Sequence, residues 1–334
     1  MEDALMPAVQ AETILREMAA QWAAVAAAGA SDSPETAGVV RACSMTLIVA
    51  AESEADAARA GETVAALMQS HPSRAIVLKP APRQAALDAR VILQCWLTSG
   101  ARRQICCERI EITIPEGNQD EVLRVIPGLL APDLPAVLWC RGDVWTRQQP
   151  FARLHELLDR IIVDSSCTAD PAEALCALAA LRQGRTRVSD LAWTRLTLWR
   201  ETIANTVAAS GVEDPDAVQE VEVRHAGARP STAALYLAAW LLRVFRNAAP
   251  VFRSVPGDGQ VAGVAIQAGR IRLELDRLAG QTVRVSGCAG VQALHLPHAS
   301  EERSMREELA IAGPDGVFEE TLAPATELAA KWHA

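Results

Sequence analysis

The stretch that decides the fold is RRQICCERIEI, residues 102–112, in which apolar and polar residues alternate. Successive side chains of a β-strand point to opposite faces, so this alternation predicts a strand from about residue 103 to residue 114. One face carries Cys106, Glu108, Ile110, Ile112 and Ile114. This face is apolar towards its end, and we expect it to pack against a helix. The opposite face carries Ile105, Cys107, Arg109, Glu111 and Thr113.

The paired cysteines of this stretch admit two interpretations. In a strand the thiols of Cys106 and Cys107 point apart, and a disulfide between adjacent residues requires a strained peptide. The pattern therefore favours structural thiols. The alternative is a redox- or metal-sensitive thiol, because Arg102, Arg103 and Arg109 would favour a thiolate. None of the eight cysteines has C-x-x-C spacing, and in a reducing compartment we expect most of them to be free and buried.

Strand-like and helix-like segments alternate on both sides of this stretch. This order predicts an α/β domain with helices on the faces of its sheet. Two neighbouring strands, near 89–97 and 103–114, have no helix between them and predict a hairpin within a mixed sheet. After residue 170, helices are followed by a series of short strand-like segments, which indicates a second, α+β domain with a largely antiparallel sheet.

The length of 334 residues corresponds to about two domains of roughly 150 residues each. We predict an N-terminal helix and linker over 1–40 and an α/β domain over 41–168. An α+β domain follows over 169–300, and a partly helical tail over 301–334.

The charge and hydropathy of the chain exclude several classes of partner. The formal net charge is −9, which argues against nucleic acid or an anionic membrane as a partner. No apolar run approaches the roughly 18–20 residues that a membrane span requires. The first residues, MEDALMPAVQ, lack the basic region of a signal peptide. We therefore expect a cytoplasmic protein.

The sequence contains none of the common catalytic motifs. We find no G-x-S-x-G, no H-E-x-x-H, no Walker A and no G-x-G-x-x-G after a strand. His295 and His298 stand three residues apart, but Pro297 between them favours a loop over a metal site. We therefore predict no catalytic residues, no cofactor site and no metal site.

The segment SDLAWTRLTLWRETIANTV, Ser189 to Val207, predicts one helix with Ser189 as its N-cap. Trp193 and Arg200, seven residues apart, share one flank of its apolar stripe, and Arg195 lies towards the opposite flank. One interpretation is a core helix whose arginine stems cover apolar surface. The other is a partner surface, because Trp and Arg are common anchors of protein interfaces.

Five separated segments together resemble the OpcA-type glucose-6-phosphate dehydrogenase assembly proteins. They are HPSRAIVL (71–78), RQICCERIEI (103–112), LLAPDLPAVLWCRGD (129–143), IIVDSS (161–166) and DLAWTRLTLWR (190–200). One departure is Cys140, where the family often has a second Trp.

The resemblance implies a non-catalytic protein that binds glucose-6-phosphate dehydrogenase and promotes its assembly or active state, in some lineages under redox control. As partner-binding candidates we take Trp193, Arg195, Arg200 and Arg103. Cys106 and Cys107 match the CCE of the family and are the redox candidates, although position alone does not transfer that role.

Two alternatives to this function stay open from the residues themselves. One is a sugar-phosphate-binding sensor or enzyme of the α/β class, which would use arginines such as Arg74 and Arg103 together with backbone N–H groups. The other is a scaffold for a different partner.

Overall fold

The computed structural model describes residues 9–31, 39–97, 104–143, 145, 152–257, 260–287 and 290–332. The contacts between residues divide the chain into two compact units. Unit 1 comprises Met1–Val163 and Gly184–Ser189. Unit 2 comprises Asp164–Gln183 and Asp190–Ala334. Each unit is built from two segments of the chain.

Unit 1 is organised around a mixed sheet. Its strands are β1 (Val39–Arg41), β2 (Met45–Ala50), β3 (Ser73–Pro80), β4 (Asp88–Leu97), β5 (Gln104–Ile114), β6 (Ala136–Cys140), β7 (Arg160–Val163) and β8 (Arg187–Asp190). Their order is β1-β5-β3-β2-β6-β7-β8, and β4 also pairs with β5. The β4–β5 pair is antiparallel, whereas β5 pairs with β3 in parallel. The predicted hairpin in a mixed sheet is therefore confirmed.

The α-helices of unit 1 in the described residues are α1 (Ala11–Ser31), α2 (Glu54–Leu67) and α3 (Gln119–Leu129), and a 3-10 helix covers Ala152–Leu157. Helix α2 begins at an N-cap, Ser53, whose hydroxyl accepts a hydrogen bond from the backbone N–H of Asp56. Every residue of β2 is buried, as expected for a parallel strand covered on both faces.

Strand β5 has the alternation that the sequence predicts. Cys106, Ile110 and Ile112 are completely buried. The carboxylate of Glu108 lies on the same face and accepts a hydrogen bond of 2.8 Å from the indole N–H of Trp22, a residue of α1. The expected contact of this face with a helix is therefore present.

The pairing of β4 with β5 corrects the expectation for Cys106. The register places Cys95 directly opposite Cys106, and the two residues form a disulfide. The prediction of a free thiol at Cys106 is therefore wrong. Alternation assigns residues to faces of a strand, but it does not fix which residue of the neighbouring strand lies opposite.

Cys107 lies on the other face of β5 and is a free, buried thiol. Burial raises its pKa to about 11, so it is protonated at neutral pH. The two redox candidates therefore differ in chemical state: Cys106 is oxidised, and Cys107 is a buried thiol.

Unit 2 contains a second sheet that is largely antiparallel. Its strands are β9 (Val218–His225), β10 (Ala249–Ser254), β11 (Gly263–Ala268), β12 (Ile271–Arg277), β13 (Thr282–Gly287) and β14 (Gly290–His295). Their order is β10-β9-β11-β12-β13-β14. Only the β9–β10 pair of this sheet is parallel. The predicted fold class is confirmed for both sheets.

The described α-helices of unit 2 are α4 (Pro171–Leu181), α5 (Leu191–Thr194), α6 (Thr197–Ala208), α7 (Thr232–Val244), α8 (Glu301–Ala310) and α9 (Gly316–Ala330). Two 3-10 helices cover Ser165–Cys167 and Pro215–Ala217. Asp170 caps α4, and Pro171 is the first residue of that helix, where a missing N–H has no cost. Among the helices of the described residues, none combines the length and the apolar character that a membrane crossing needs.

The two faces of the unit 2 sheet differ in polarity. One face is apolar and buried, with Val223, Val264 and Leu275 opposite one another on neighbouring strands. The other face carries ion pairs, in which Arg224 contacts both Glu222 and Asp276. Such alternation is typical of an antiparallel sheet with one face packed on helices.

Candidate functional site

The segment that carries three of the predicted site residues is two helices rather than one. Helix α5 ends at Thr194, and α6 begins at Thr197. The predicted N-cap, Ser189, lies in β8, and its hydroxyl accepts a hydrogen bond of 3.0 Å from the guanidinium of Arg160. The cap is Asp190, whose carboxylate accepts from the backbone N–H of Ala192. The prediction of Ser189 as the cap is therefore wrong.

Asp190 is the cap because distant donors converge on its carboxylate. Oδ1 accepts a hydrogen bond of 3.0 Å from the backbone N–H of Ser165, and Oδ2 accepts one of 2.9 Å from the hydroxyl of Tyr236. Asp190 is 1 % exposed. Burial, together with the nearby charge of Asp164, raises its pKa to about 6. The same cluster raises the pKa of Tyr236, chiefly through burial. The arrangement holds α5 in place and leaves Asp190 inaccessible to a substrate.

Arg195 is engaged within the chain. Its two terminal nitrogens donate to the two oxygens of Asp164, at 2.8 and 2.6 Å. Burial alone would raise the pKa of Asp164, but the hydrogen bonds and the charge of Arg195 outweigh burial and hold that pKa below its ordinary value. This bidentate pair is the strong geometry for Arg and carboxylate. Arg195 therefore stabilises unit 2 at the turn between α5 and α6.

Trp193 lies in the interior of unit 2. It is 3 % exposed, and its indole N–H donates a hydrogen bond of 2.8 Å to the carboxylate of Asp315. Its ring packs against Tyr236 and Phe318, with centroids 5.8 and 5.9 Å away. The sequence did not indicate these partners, because they follow Trp193 by more than forty residues.

Arg200 lies against Trp193, as their predicted common flank requires. The central carbon of its guanidinium is 3.6 Å from the centroid of the Trp193 ring, a cation–π contact. Burial lowers the pKa of Arg200 to about 10, in spite of the opposing charges of Asp315 and two glutamates of α8. Within the described part of the chain, its only hydrogen bond goes from Nη2 to the hydroxyl of Thr197. Arg200 thus keeps unused donors.

The fourth partner-binding candidate, Arg103, lies outside the described residues. Arg74, the other arginine considered for a sugar phosphate, is buried in unit 1. Its Nε is 2.7 Å from Oε2 of Glu108, and Nη1 donates to the carbonyl of Leu129 at 2.9 Å. Glu108 also pairs with Arg41. The charge of Arg74 is therefore balanced inside the protein, and this arginine is not presented to a ligand.

No group of three or more His, Cys, Asp or Glu side chains in the described ranges could hold a metal ion. The features that stand out are thus the Asp190 cluster, which fixes α5, and Arg200, which has unused donors beside Trp193.

Three curated relatives are similar to part of the chain. The OxPP cycle protein OpcA of Synechocystis is 32 % identical over 163 residues, which is 48 % of this chain and 33 % of the relative. OpcA of Synechococcus elongatus is 27 % identical over 155 residues, or 45 % of this chain and 34 % of the relative. OpcA of Nostoc punctiforme is 28 % identical over 176 residues, or 51 % of this chain and 37 % of the relative. The matched segment thus spans about a third of the length of each curated relative.

Solved structures offer a much weaker likeness. KijD10, a 3-ketoreductase from Actinomadura kijaniata, is 9 % identical, with a TM-score of 0.48 over 84 % of this chain and 94 % of that one. A likeness at this level transfers no activity to the chain.

Two family models match most of the chain. The first, described as the glucose-6-phosphate dehydrogenase subunit N-terminal domain, matches residues 64–180. The second, described as the C-terminal domain of the same subunit, matches residues 186–322. The two matches follow one another in the expected order and include the Asp190 cluster and Arg200. With the three curated relatives, they show that this chain belongs to the OpcA family of glucose-6-phosphate dehydrogenase assembly proteins.

Proposed function

We propose that this chain is a non-catalytic partner of glucose-6-phosphate dehydrogenase, which it binds in the cytoplasm and converts to its active oligomeric state. The observation that carries this proposal is the match of both family models, in order, over residues 64–180 and 186–322. The names of the curated relatives, OxPP cycle proteins, support the same metabolic setting.

Within this proposal, Arg200 is the partner-binding residue, and the ring of Trp193 holds its guanidinium. Trp193 and Arg195 are occupied by Asp315 and Asp164. Arg200 is half-buried and is held by the Trp193 ring. Its Nη1 makes no hydrogen bond among the described residues, whereas its unpaired Nε is buried and out of reach of a partner. A pre-positioned guanidinium with free donors suits a carboxylate or carbonyl group of a partner. Arg103 remains a proposed contact of the same kind.

The direct test mixes the purified chain with glucose-6-phosphate dehydrogenase from the same organism. Size-exclusion chromatography with light scattering measures the mass of the complex, and reduction of NADP⁺ measures its activity. We expect a complex and a rise in activity on addition of the chain. A dehydrogenase whose mass and activity do not change would overturn the proposal.

A pair of arginine variants tests the role of Arg200. Arg200→Ala should weaken binding to the dehydrogenase by about 1–2 kcal/mol, or roughly tenfold, as for an interface anchor. Arg246→Ala is the matched control, because Arg246 is exposed on the same unit. Thermal melts establish that both variants fold. Equal affinities of the two folded variants for the dehydrogenase would show that Arg200 does not contribute to the interface.

The non-catalytic part of the proposal has its own test. The isolated chain should neither oxidise glucose 6-phosphate nor hydrolyse its lactone. Saturable binding of glucose 6-phosphate, measured by isothermal titration calorimetry on the isolated chain, would instead support the sugar-phosphate sensor. The burial of Arg74 in an ion pair with Glu108 does not favour that alternative.

A further inference from the structure

Strand β14 is an edge strand that lacks the usual protection. All six of its residues are exposed, and in the described part of the chain it pairs with β13 alone. Its sequence, GVQALH, has no Lys, no Pro and no acidic residue. Charged residues and Pro on an edge strand normally prevent edge-to-edge pairing. Val291 is 69 % exposed, and Leu294 is 39 % exposed. An edge without these blocking residues, and with two exposed aliphatic side chains, is suited to accept another strand.

The backbone groups available on this edge follow from the pairing of β14 with β13. The N–H of Leu296, just beyond β14, donates a hydrogen bond of 2.7 Å to the carbonyl of Gln281. Along an antiparallel strand, successive residues direct their N–H and C=O groups to opposite sides. The N–H and C=O groups of Val291, Ala293 and His295 are therefore directed away from β13. They have no backbone partner among the described residues.

A groove runs beside this edge, between α6 and the last strands of the sheet. Its volume is about 360 Å³. Leu198 and Asn205 of α6 line one side, and Val285 and Leu294 line the other. Leu294 alternates with Ala293 along β14, so its side chain lies on the face of the sheet that α6 covers. A strand added to β14 would direct every second side chain into the groove.

The groove carries a negative charge, which favours an occupant with a positive charge. Glu201 lines it, whereas no Lys or Arg of the described residues does. An occupant with a basic side chain among its groove-facing positions would complement Glu201. A second copy of β14 offers neither Lys nor Arg, and its only basic group is the imidazole of His295.

We infer that the β14 edge and the adjoining α6 groove bind an extended segment of glucose-6-phosphate dehydrogenase as an additional strand. The inference rests on the proposed function and names a place for the contact. Main-chain hydrogen bonds to Val291, Ala293 and His295 give affinity, and side-chain pockets at alternate positions give specificity. The segment combines an apolar side chain, seated against Leu294, with a Lys or Arg beside Glu201.

The first test blocks the edge. Ala293→Pro removes an outward N–H, and Pro is tolerated on an edge strand where the N–H faces solvent. Ala293→Thr is the matched control, since it keeps the N–H and suits a strand. Binding of each full-length variant to the purified dehydrogenase is measured by biolayer interferometry, with thermal melts as the folding check. We expect Ala293→Pro to weaken binding roughly tenfold or more and Ala293→Thr to bind like the wild type.

A second variant tests the groove without touching the backbone. Glu201→Lys should weaken binding several-fold, whereas Glu213→Lys, which makes the same charge change at an exposed site, should not. If Ala293→Pro fails to fold, this pair decides the question together with hydrogen exchange on the wild-type chain. The amides of residues 291, 293 and 295 should exchange more slowly when the dehydrogenase is bound.

The outcomes separate the inference from the proposed function. Normal binding by folded Ala293→Pro and Glu201→Lys, with unchanged amide exchange at 291–295, overturns the inference and leaves the proposed function standing. A wild-type chain that does not bind the dehydrogenase overturns both. Self-association of the wild type that Ala293→Pro abolishes, with unchanged dehydrogenase binding, overturns the inference in favour of a second copy.

Discussion

Strands β5 and β14 show opposite relations between polarity and burial. Glu108 of β5 is charged and 2 % exposed, whereas Val291 of β14 is apolar and 69 % exposed. Glu108 is buried because Arg74 and Trp22 contact its carboxylate at 2.7 and 2.8 Å. The side chain of Val291 lies on the face of the sheet opposite Leu294, the face that carries the ion pairs of Asp276, and it is exposed there. The availability of partners, rather than polarity alone, decides which residues are buried.

The largest effect should follow from breaking the buried ion pair of β5. Glu108→Ala should lower the free energy of unfolding by about 3–5 kcal/mol, because it leaves a buried arginine without its counter-charge. Urea unfolding measures the change. The matched control, Glu116→Ala, removes an exposed carboxylate and should change the free energy by less than about 0.5 kcal/mol. Equal losses in the two variants would show that the ion pair does not hold β5 in place.

Asp190 is a second buried carboxylate. Unlike Glu108, which pairs with Arg74, it accepts hydrogen bonds from neutral groups. Its pKa is raised in the folded protein, to about 6, so the folded state holds the proton more tightly than the unfolded chain. The free energy of unfolding should therefore fall as the pH rises from about 4 to about 7, by roughly 3 kcal/mol from this group.

Asp190→Asn removes this titration and isolates its contribution. The difference in unfolding free energy between wild type and variant should shift in favour of the variant as the pH rises through the same window. Urea unfolding at several pH values supplies the data. Parallel pH profiles for the two proteins would contradict the raised pKa.

A pair of aliphatic truncations compares the two strands directly. Ile110→Val removes a single methylene from a completely buried position and should cost about 0.5–1.5 kcal/mol of unfolding free energy. Val291→Ala removes more, yet should change the free energy by less than about 0.5 kcal/mol, because that side chain is mostly solvated. A larger loss at Val291 than at Ile110 would reverse the comparison.

The smallest perturbation is chemical labelling. Cys107 of β5, with its burial and its pKa of about 11, should resist alkylation at neutral pH, since the thiolate is the reactive form. A cysteine introduced by Val291→Cys should react rapidly. Peptide mass spectrometry after brief exposure to iodoacetamide resolves the sites. Rapid modification of Cys107 in the folded protein would indicate that β5 opens readily.

Local sequence signals predicted the elements that depend on neighbouring residues. The alternation of β5 and the Asp170–Pro171 start of α4 are both of this kind. The disulfide was not predicted, because it depends on the register between β4 and β5. The break between α5 and α6, where the N–H of Leu196 donates to the carbonyl of Trp193, was missed as well. Beside it, Arg195 pairs with Asp164, thirty-one residues away, which local sequence does not reveal.

For the candidate site, helical periodicity predicted the proximity of Trp193 and Arg200, which are seven residues apart. The burial of Trp193 was not predicted, because its hydrogen-bond partner, Asp315, lies 122 residues later. The Asp190 cluster was missed as well, because a carboxylate that caps a helix looks the same in sequence whether or not a distant Tyr236 also donates to it.

Unit 2 consists of two segments of the chain that are separated by residues of unit 1, which determines how the protein can be cut into fragments. The chain passes from unit 1 to unit 2 after Val163, returns at Gly184, and passes again after Ser189. A fragment that begins at residue 190 would lack Asp164 and Ser165, and so would lose the counter-charge of Arg195 and a donor to Asp190. A single cut therefore cannot separate unit 2 from unit 1, because a fragment that begins at residue 164 carries residues 184–189 of unit 1 with it. To exchange unit 2 alone between relatives, both of its segments must be replaced together. A product of limited proteolysis that keeps unit 2 intact would either retain residues 184–189 or consist of two fragments that stay associated after cleavage there.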